Sequence, residues 1–322
     1  MLILSSGDLG RVLPVEEAVA AVQESFRLPP DAVSAPLRAR VDAGREGTFF
    51  VMPALATSLG GFGAKLVGVF PGNRGKGLDS VQAVYALLSA ADGRLLALLD
   101  GNYLTASRTA AVTALATKLL ARPGPARLAL FGTGTQARFH LAAFGQTVTI
   151  TEARVCGSSP AKSEAFVRDQ APRYRFLLRA ASPGEAVSGA DIVCACTTSP
   201  TPVFRGELLA PGAHVNAVGA FQPHTRELDD AALGGARIFV DTLEGALAEA
   251  GDLLVPLGSG ALRREQIAGD LGALVRGEIS GRSSETGITI FKSVGCALED
   301  LAAATAAYRK AAQVGAGRDV EL

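Results

Sequence analysis

The segment from Ala126 to Ala137 constrains the fold of this chain most, because an apolar strand there runs directly into a glycine turn that opens a helix. The small residues follow G-x-G-x-x-A spacing, with Gly132, Gly134 and Ala137 at the three positions. In such a turn the first glycine permits a tight bend and the second lets a pyrophosphate approach the backbone, while the third small residue lets helix and strand pack closely. The segment predicts a dinucleotide-binding turn; an ordinary tight turn between strand and helix is the alternative.

The composition excludes several classes of protein. The 322 residues carry 31 basic and 31 acidic side chains, so no net charge favours binding to nucleic acid or to a membrane surface. The first residues lack the basic and apolar regions of a signal peptide, and no apolar run reaches the roughly 18 residues of a membrane span. We therefore expect a cytoplasmic protein that acts on a small molecule.

The cysteines predict neither a metal site nor a disulfide framework. The chain has four, Cys156, Cys194, Cys196 and Cys296, and their spacing matches no common metal-ligand pattern. In a cytoplasmic protein such residues are expected to be reduced thiols in the core. No metal is predicted.

The distribution of apolar residues predicts two kinds of structure along the chain. A helix at 15–26 is followed by antiparallel strands up to about residue 100, and a helix at 106–121 begins with Thr105 as its N-cap. Six strands then alternate with helices: the strands span 127–131, 148–156, 175–179, 191–196, 213–218 and 236–241, and the helices lie near 135–144, 160–171, 183–189 and 227–234. A final helix runs from about 296 to 312.

This alternation predicts an α/β fold with a Rossmann doubly wound parallel sheet, plus an α+β N-terminal domain that the C-terminal helix completes. The predicted boundaries place the N-terminal domain at 1–115, the dinucleotide-binding domain at 116–290 and the returning helix at 291–322.

The end of the second strand of the parallel sheet bears on the choice of cofactor. Enzymes that prefer NADH usually carry an Asp or Glu there, which binds the ribose 2′-hydroxyl. This chain has Ser158, Ser159 and, on the next helix, Lys162, which suit the donors and positive charge that a 2′-phosphate requires. We predict NADPH in preference to NADH, which remains possible. Ser158 could instead simply cap the following helix.

Three cations in the first half of the chain stand in unusual surroundings. Lys65 lies among glycines and apolar residues on a strand, where a lysine needs either solvent or an anionic partner. Arg108 is predicted in the first turn of a helix, where its charge opposes the helix dipole. Arg38 follows a proline on an extended stretch. Taken singly, each could be an ordinary surface cation.

A set of motifs shared with one family brings these residues together. The motifs occur in order along the chain: Pro36–Arg38, Met52–Ala54, Gly63–Val67, Asp100–Asn102, Thr105–Ala111, Gly132–Ala137, Val215–Ala220 and Lys292–Gly295. Through them the chain resembles the ornithine cyclodeaminase/μ-crystallin family over nearly its whole length. The resemblance implies a homodimer in which the N-terminal domain binds substrate and makes the dimer contacts.

The resemblance also implies roles for individual residues. Arg38, Lys65 and Arg108 would hold a substrate carboxylate beside the nicotinamide. The dinucleotide would contact Ser80, Arg108, Gly132, Thr133, Gly134, Thr135, Gln136, Thr197, Thr198, Val218, Gly219, Thr225 and Ser293, in addition to Ser158, Ser159 and Lys162.

One departure from the family pattern indicates the reaction. Cyclodeaminases resembling this chain carry an Asp general acid/base where this chain has Phe221, and a phenyl ring cannot transfer protons. The Ala220-Phe221-x-Pro223 sequence instead resembles the cyclic ketimine reductases, which reduce Δ1-pyrroline-2-carboxylate or Δ1-piperideine-2-carboxylate to L-proline or L-pipecolate. The alternatives are an alanine or N-alkyl-amino-acid dehydrogenase, then an ornithine cyclodeaminase, then a non-catalytic μ-crystallin-like protein that binds NADPH and a ligand.

Several nearby polar residues have more than one interpretation. His224 could donate a proton, although a loop position without a catalytic role is the favoured interpretation. His140 and His214 are interpreted as structural. The pair Asp229 and Asp230 is expected to cap a short helix, and Glu299 with Asp300 is expected to be a solvated or capping pair.

Overall fold

The computed structural model describes residues 1–42, 44 and 47–321, which form two compact units. Unit 1 comprises Met1–Val112 and Cys296–Leu322, and unit 2 comprises Thr113–Gly295. The boundaries predicted from the sequence follow residues 115 and 290.

The described strands form two sheets, one of seven strands and one of eight. In chain order they are β1 Leu2–Leu4, β2 Ala39–Asp42, β3 Thr48–Ala56, β4 Gly61–Val69, β5 Val81–Ser89, β6 Leu95–Asp100, β7 Ala126–Phe131, β8 Ile150–Cys156, β9 Leu177–Ala180, β10 Ile192–Ala195, β11 His214–Ala217, β12 Arg237–Val240, β13 Ile267–Asp270, β14 Thr289–Lys292 and β15 Arg318–Asp319.

The α-helices follow the same order. They are α1 Ser6–Val12, α2 Val15–Arg27, α3 Gly101–Leu120, α4 Thr135–Thr147, α5 Pro160–Gln170, α6 Pro183–Val187, α7 Asp230–Leu233, α8 Leu243–Glu249, α9 Gly251–Ser259, α10 Leu271–Val275 and α11 Ala297–Val314. No helix in the described part of the chain combines the length and apolar character that crossing a bilayer requires.

Unit 1 is a seven-stranded sheet with helices on one face. The strand order is β15-β1-β6-β5-β4-β3-β2, and all pairs are antiparallel except β1 with β6. Side chains alternate between the two faces of a strand, so Phe50 and Met52 of β3 point into the core, while Phe49 and Leu55 remain more than a third exposed. Helix α11 packs on β3, β4 and β5, as predicted for the C-terminal helix.

Unit 2 is an eight-stranded, wholly parallel sheet. Its strand order is β13-β12-β14-β11-β10-β7-β8-β9. The chain runs outwards from β7 through β8 and β9, then continues on the other side of β7 with β10. Ligands of open α/β sheets bind at the carboxyl ends of the strands beside such a switch point, and β7 leads into the glycine turn there. The predicted fold class is confirmed.

Two strands of unit 2 were missed. The sequence predicts six strands, but β13 and β14 complete the sheet, and β14 lies in its interior between β11 and β12. All four residues of β14 are buried, but only the middle two, Ile290 and Phe291, are apolar; the strand begins with Thr289 and ends with Lys292. A strand this short with polar ends gives no periodic signal.

The predicted start of helix α3 is wrong. The helix begins at Gly101, because the Asp100 carboxylate accepts the backbone N–H of Tyr103 at 2.7 Å and takes the capping role expected of Thr105. Arg108 therefore lies about two turns beyond Gly101, outside the first turn, where the helix dipole would oppose its charge. Asp229 caps α7 as predicted, through the N–H of Ala232 at 2.8 Å.

Candidate active site

Lys65 of β4 is almost completely buried. Odd-numbered residues of β4 face the helices, which places this lysine in the core with 2% of its surface exposed. Its Nζ lies 2.9 Å from each carboxylate oxygen of Asp300 on α11. The ammonium group therefore has the anionic partner that its burial requires.

Arg108 of α3 shares the same partner. Its Nε donates to Asp300 Oδ1 at 2.9 Å, and its Nη1 donates to Glu299 Oε2. Asp300 and Glu299 are both fully buried. The prediction that these two acids form a solvated or capping pair is therefore wrong: they orient Lys65 and Arg108.

Arg38 completes the cationic set. Arg38 comes directly before β2 in the chain. The centre of its guanidinium group lies 4.8 Å from the centroid of the Phe50 ring. Its charge also acts on Lys65. We call Arg38, Lys65, Arg108, Glu299 and Asp300 the cation cluster; it brings together the three predicted substrate residues.

The electrostatics of the cluster follow from burial and charge. Burial lowers the pKa of Lys65 to about 8; Asp300 opposes this shift, while Arg108 and Arg38 add to it. Burial alone would also lower the pKa of Arg108, but Asp300 and Glu299 raise it above its usual range. The cluster thus pairs the buried Lys65 and Arg108 with Asp300 and Glu299, and Arg38 lies near enough for its charge to act on Lys65.

The glycine turn of unit 2 fits a dinucleotide. Gly132 has a φ of +119°, and a Cβ there would lie 2.9 Å from the carbonyl oxygen of Cys196. Gly134 has extended backbone and open space around its missing Cβ. No side chain caps the N–H groups at the start of α4, and the buried Oε1 of Gln136 has no hydrogen-bond partner among the described residues. Free N–H groups at a helix start are what phosphates bind.

The segment after β8 carries the two serines and the lysine that a 2′-phosphate would need. Lys162 Nζ donates to Ser158 Oγ at 3.0 Å. Ser159, rather than Ser158, is the N-cap of α5 and accepts the backbone N–H of Lys162 at 3.4 Å. The alternative role of Ser158 as the helix cap is therefore wrong, and Ser158 and Lys162 form a cationic, hydroxyl-bearing pair just after β8.

The remaining predicted cofactor residues of unit 2 follow the carboxyl ends of the strands. These residues are Thr133 in the glycine turn and Thr135 at the start of α4, Thr197 and Thr198 after β10, Val218 and Gly219 after β11, and Ser293 after β14. Ser293 donates its hydroxyl to Asp241 at 3.0 Å, and Thr225 donates to the carbonyl of Gln222 at 3.2 Å. In unit 1, the buried Oγ of Ser80 has no partner among the described residues.

Glu227 is the residue of unit 2 that the sequence analysis missed. It is fully buried and binds both the loop after β10 and the loop after β11, through Thr197 and Gly219. Burial raises the pKa of Glu227, although Lys292 opposes the shift. In the sequence Glu227 is only a charged residue beside apolar Leu228, and nothing there indicates that it binds Thr197, 30 residues earlier.

Phe221 and the histidines occupy different environments. Phe221 is half-buried against the apolar core of unit 2, whereas His224 is exposed. His140 is buried between the carbonyl of Gln136 and the hydroxyl of Thr113, and burial lowers its pKa to about 4. Burial lowers the pKa of His214 to about 3. His140 and His214 thus fill the structural roles expected of them.

Known proteins resemble this chain over its full length. A Bacillus cereus Δ1-pyrroline-2-carboxylate reductase is 35% identical, with all of both chains covered. The mouse ketimine reductase mu-crystallin is 38% identical, covering 92% of this chain and 90% of its own.

Solved structures agree with these relatives. Thermococcus litoralis Δ1-pyrroline-2-carboxylate reductase, in complex with NADH and L-proline, superposes with a TM-score of 0.96 at 33% identity, covering 99% of this chain and 100% of its own. An archaeal alanine dehydrogenase dimer with bound NAD superposes with a TM-score of 0.93 at 32% identity, covering 100% of this chain and 99% of its own. The family model described as ornithine cyclodeaminase/mu-crystallin matches residues 2–315. The chain belongs to the ornithine cyclodeaminase/mu-crystallin family.

Proposed function

We propose that this protein is an oxidoreductase that uses NAD(P)H to reduce the C=N bond of a cyclic ketimino acid. Its substrates would be Δ1-pyrroline-2-carboxylate, Δ1-piperideine-2-carboxylate or both, and its products L-proline and L-pipecolate. The observation that carries the proposal is the cation cluster, in which Asp300 and Glu299 hold the buried Lys65 and Arg108 beside Arg38. Ammonium and guanidinium groups are the donors that bind a carboxylate most strongly. The names of the bacterial and mouse relatives support the same reaction class.

The cation cluster would act by binding and orienting the substrate. Lys65 and Arg108 donate charge-assisted hydrogen bonds to its carboxylate, which fixes the adjacent imine carbon. With a pKa of about 8, Lys65 keeps its proton at neutral pH and binds as an ammonium ion. A bound dinucleotide would supply a hydride for the imine carbon, and the imine nitrogen would take up one proton to give the amine.

Phe221 favours this reaction over cyclodeamination. An imine nitrogen is basic enough to be protonated before the hydride arrives, so reduction demands less of a protein acid. The half-buried ring can pack against an apolar substrate ring, whereas it cannot shuttle the protons that loss of ammonia requires. His224 is exposed on its loop and remains a candidate for the proton donor.

For the cofactor we propose NADPH in preference to NADH. The support is Lys162 beside Ser158 and the absence of an acid at the end of β8. The two solved relatives contain NADH or NAD, so the proposed preference for NADPH comes from the residues of this chain and not from those relatives. Lys162→Glu should lower kcat/KM for NADPH by about tenfold or more and change that for NADH little. An equal effect on both cofactors would contradict the role of Lys162.

We also propose a homodimer formed through the helix-free face of the unit 1 sheet. Among the apolar residues there, Phe49, Leu55, Leu66 and Val84 are each more than a third exposed. A contiguous apolar face of this kind is characteristic of an interface between subunits. The archaeal alanine dehydrogenase relative is described as a dimer, which supports a second copy of this chain as the occupant.

A panel of substrates tests the proposed reaction. NADPH oxidation is followed with each cyclic imine and, in parallel, with pyruvate plus ammonia or methylamine. Fast turnover of an imine supports the proposal and identifies the preferred ring size. Turnover of pyruvate with an amine alone would identify an amino-acid dehydrogenase, as the likeness to alanine dehydrogenase allows. Ammonia release from ornithine would identify a cyclodeaminase. Binding of NADPH without turnover of any substrate would identify a ligand-binding protein.

A further inference from the structure

A second buried charged network lies in unit 2, separate from the residues assigned to the substrate. It consists of Glu227, Asp252 at the start of α9, and Lys292 at the end of β14. All three side chains are fully buried. Burial of three charged groups is costly unless each is paired and hydrogen-bonded, so their partners indicate what the network does.

Glu227 uses both carboxylate oxygens to join two loops. Its Oε1 accepts the backbone N–H of Thr197 at 2.6 Å and the hydroxyl of the same residue at 2.8 Å. Its Oε2 accepts the N–H groups of Gly219 at 2.6 Å and Ala220 at 3.2 Å. One side chain therefore fixes the first residues after β10 to the first residues after β11.

Asp252 and Lys292 hold Glu227 in place. Asp252 Oδ1 accepts the backbone N–H groups of Glu227 at 2.7 Å and Leu228 at 3.0 Å. Lys292 Nζ lies 2.9 Å from the other oxygen of Asp252 and also donates to the carbonyl of Ala220. The contacts close a ring from Ala220 through Glu227, Asp252 and Lys292 back to Ala220.

The backbone around this ring is packed without spare room. A Cβ on Gly219 would lie 2.0 Å from the carbonyl oxygen of Thr197, and one on Gly251 would lie 2.1 Å from that of Thr225. With no side chain at Gly219, the two loops are held together there by the Glu227 carboxylate and by direct backbone contact. Glu227 thus supplies the side-chain hydrogen bonds that link the two loops where their backbones touch.

We propose that Glu227 is a positioning residue that sets the loops after β10 and β11 for binding the dinucleotide. This inference rests on the proposed function, which requires a bound dinucleotide; the family resemblance implies that Thr197, Val218 and Gly219 contact that ligand. Both loops lie at the carboxyl ends of strands on one side of the switch point, where such ligands bind. The Glu227 carboxylate faces four donors, and a carboxylate can accept four hydrogen bonds. In glutamine an NH₂ group replaces one of the two oxygens, so two of these four donors would face another donor and lose their acceptor.

The experiment measures cofactor binding directly, by calorimetric titration of NADH and NADPH into the purified wild type and Glu227→Gln. Asp191→Asn is the matched control. Asp191 is also ion-paired, with Arg122 at 2.9 Å, and accepts a backbone N–H, from Arg127 at 2.9 Å, but it precedes β10 and lies at the amino edge of the sheet. We expect the dissociation constant of Glu227→Gln to rise at least tenfold and that of Asp191→Asn to stay within about twofold.

A kinetic comparison separates positioning from general loss of structure. At saturating cofactor, the KM of Glu227→Gln for the imine should stay near the wild-type value, because the cation cluster is untouched. Glu227→Asp, which keeps the charge but is one methylene shorter, should also bind cofactor more weakly; it serves as the test if the glutamine variant does not fold. Wild-type affinity in either folded variant, or an equal loss in Asp191→Asn, would overturn the positioning role. Failure of the wild type to bind either cofactor would instead overturn the proposed function.

Discussion

At the scale of single residues, the cost of burying charge accounts for the candidate substrate site. Lys65 is tolerated in the core because Asp300 lies 2.9 Å away, and Asp300 is tolerated because it also binds Arg108. Helix α11 thus holds in place the two cations that the motifs assign to the substrate. The cluster is preorganised, so little side-chain freedom is lost when a carboxylate binds.

Replacing Lys65 tests this arrangement. Lys65→Met keeps most of the side-chain volume but removes the charge, so the substrate carboxylate loses its closest ammonium group. We expect kcat/KM for the imine to fall by about a hundredfold or more, since a hydrogen bond between charged groups contributes about 1.5–3 kcal/mol and orientation adds to it. Affinity for NADPH should change little. Ser158→Ala provides the comparison; equal, small losses of kcat/KM in both variants would contradict the site assignment.

The residues of this site differ in how far the sequence could predict them. Lys65 was noticeable as a lysine among glycine and apolar residues, and the family motifs added Arg108 and Arg38. Glu299 and Asp300 were misjudged because their partners Arg108 and Lys65 lie about two hundred residues away. An acidic pair within an otherwise alanine- and leucine-rich helix segment was the signal that the sequence offered.

At the scale of elements, the two glycines of the turn between β7 and α4 are expected to have different roles: Gly132 is needed for folding and Gly134 for binding the cofactor. Gly132→Ala would force an L-residue to a φ of +119° against the carbonyl of Cys196, so it should lower the melting temperature even without cofactor. Gly134→Ala has extended backbone and open space, so the melting temperature should hold while the dissociation constant for NADPH rises about tenfold. Unchanged cofactor affinity in Gly134→Ala would contradict a pyrophosphate at this turn.

The elements that the sequence predicted are those with a local signal. The helix α2, the antiparallel strands of unit 1 and the strand–turn–helix around Gly132 all carry apolar periodicity or turn residues. Strand β14 carries neither, because its place inside the sheet is decided by pairing with β11 and β12. The early start of α3 depends on Asp100, whose capping bond competes with the Thr105 signal further along.

At the scale of the whole molecule, the exposed apolar sheet face predicts the state of assembly. Leu66 is central to that face and 39% exposed, so Leu66→Asp would place a charge in the proposed dimer interface. We expect the wild type to have the mass of a dimer by light scattering and Leu66→Asp to be shifted towards monomer. Val314→Asp, at an exposed site at the end of α11, should remain dimeric. A monomeric wild type would contradict the proposed interface.

Stability of the whole chain should also depend on two buried histidines. The pKa of His140 is lowered to about 4 and that of His214 to about 3, while unfolded histidine titrates near 6.5. Below pH 6.5 unfolding takes up a proton at each, so each lowers the free energy of unfolding by about 1.4 kcal/mol per pH unit until its folded pKa is reached.

Denaturant titrations between pH 7 and 4.5 check this expectation. The free energy of unfolding should fall as the pH falls, and His214→Asn should show a shallower slope than the wild type. Equal slopes for the two proteins would contradict the burial of a neutral His214.

The most direct test of the central claim follows the hydride itself. The protein is incubated with Δ1-pyrroline-2-carboxylate and NADPH that carries deuterium in the transferred position of the nicotinamide, and the product is analysed by mass spectrometry. We predict proline with one deuterium on its α-carbon, formed in step with NADPH oxidation, and the analogous pipecolate from the six-membered imine. Consumption of neither imine, or NADPH oxidation without a deuterated amino acid, would contradict the assignment of this chain as a ketimine reductase.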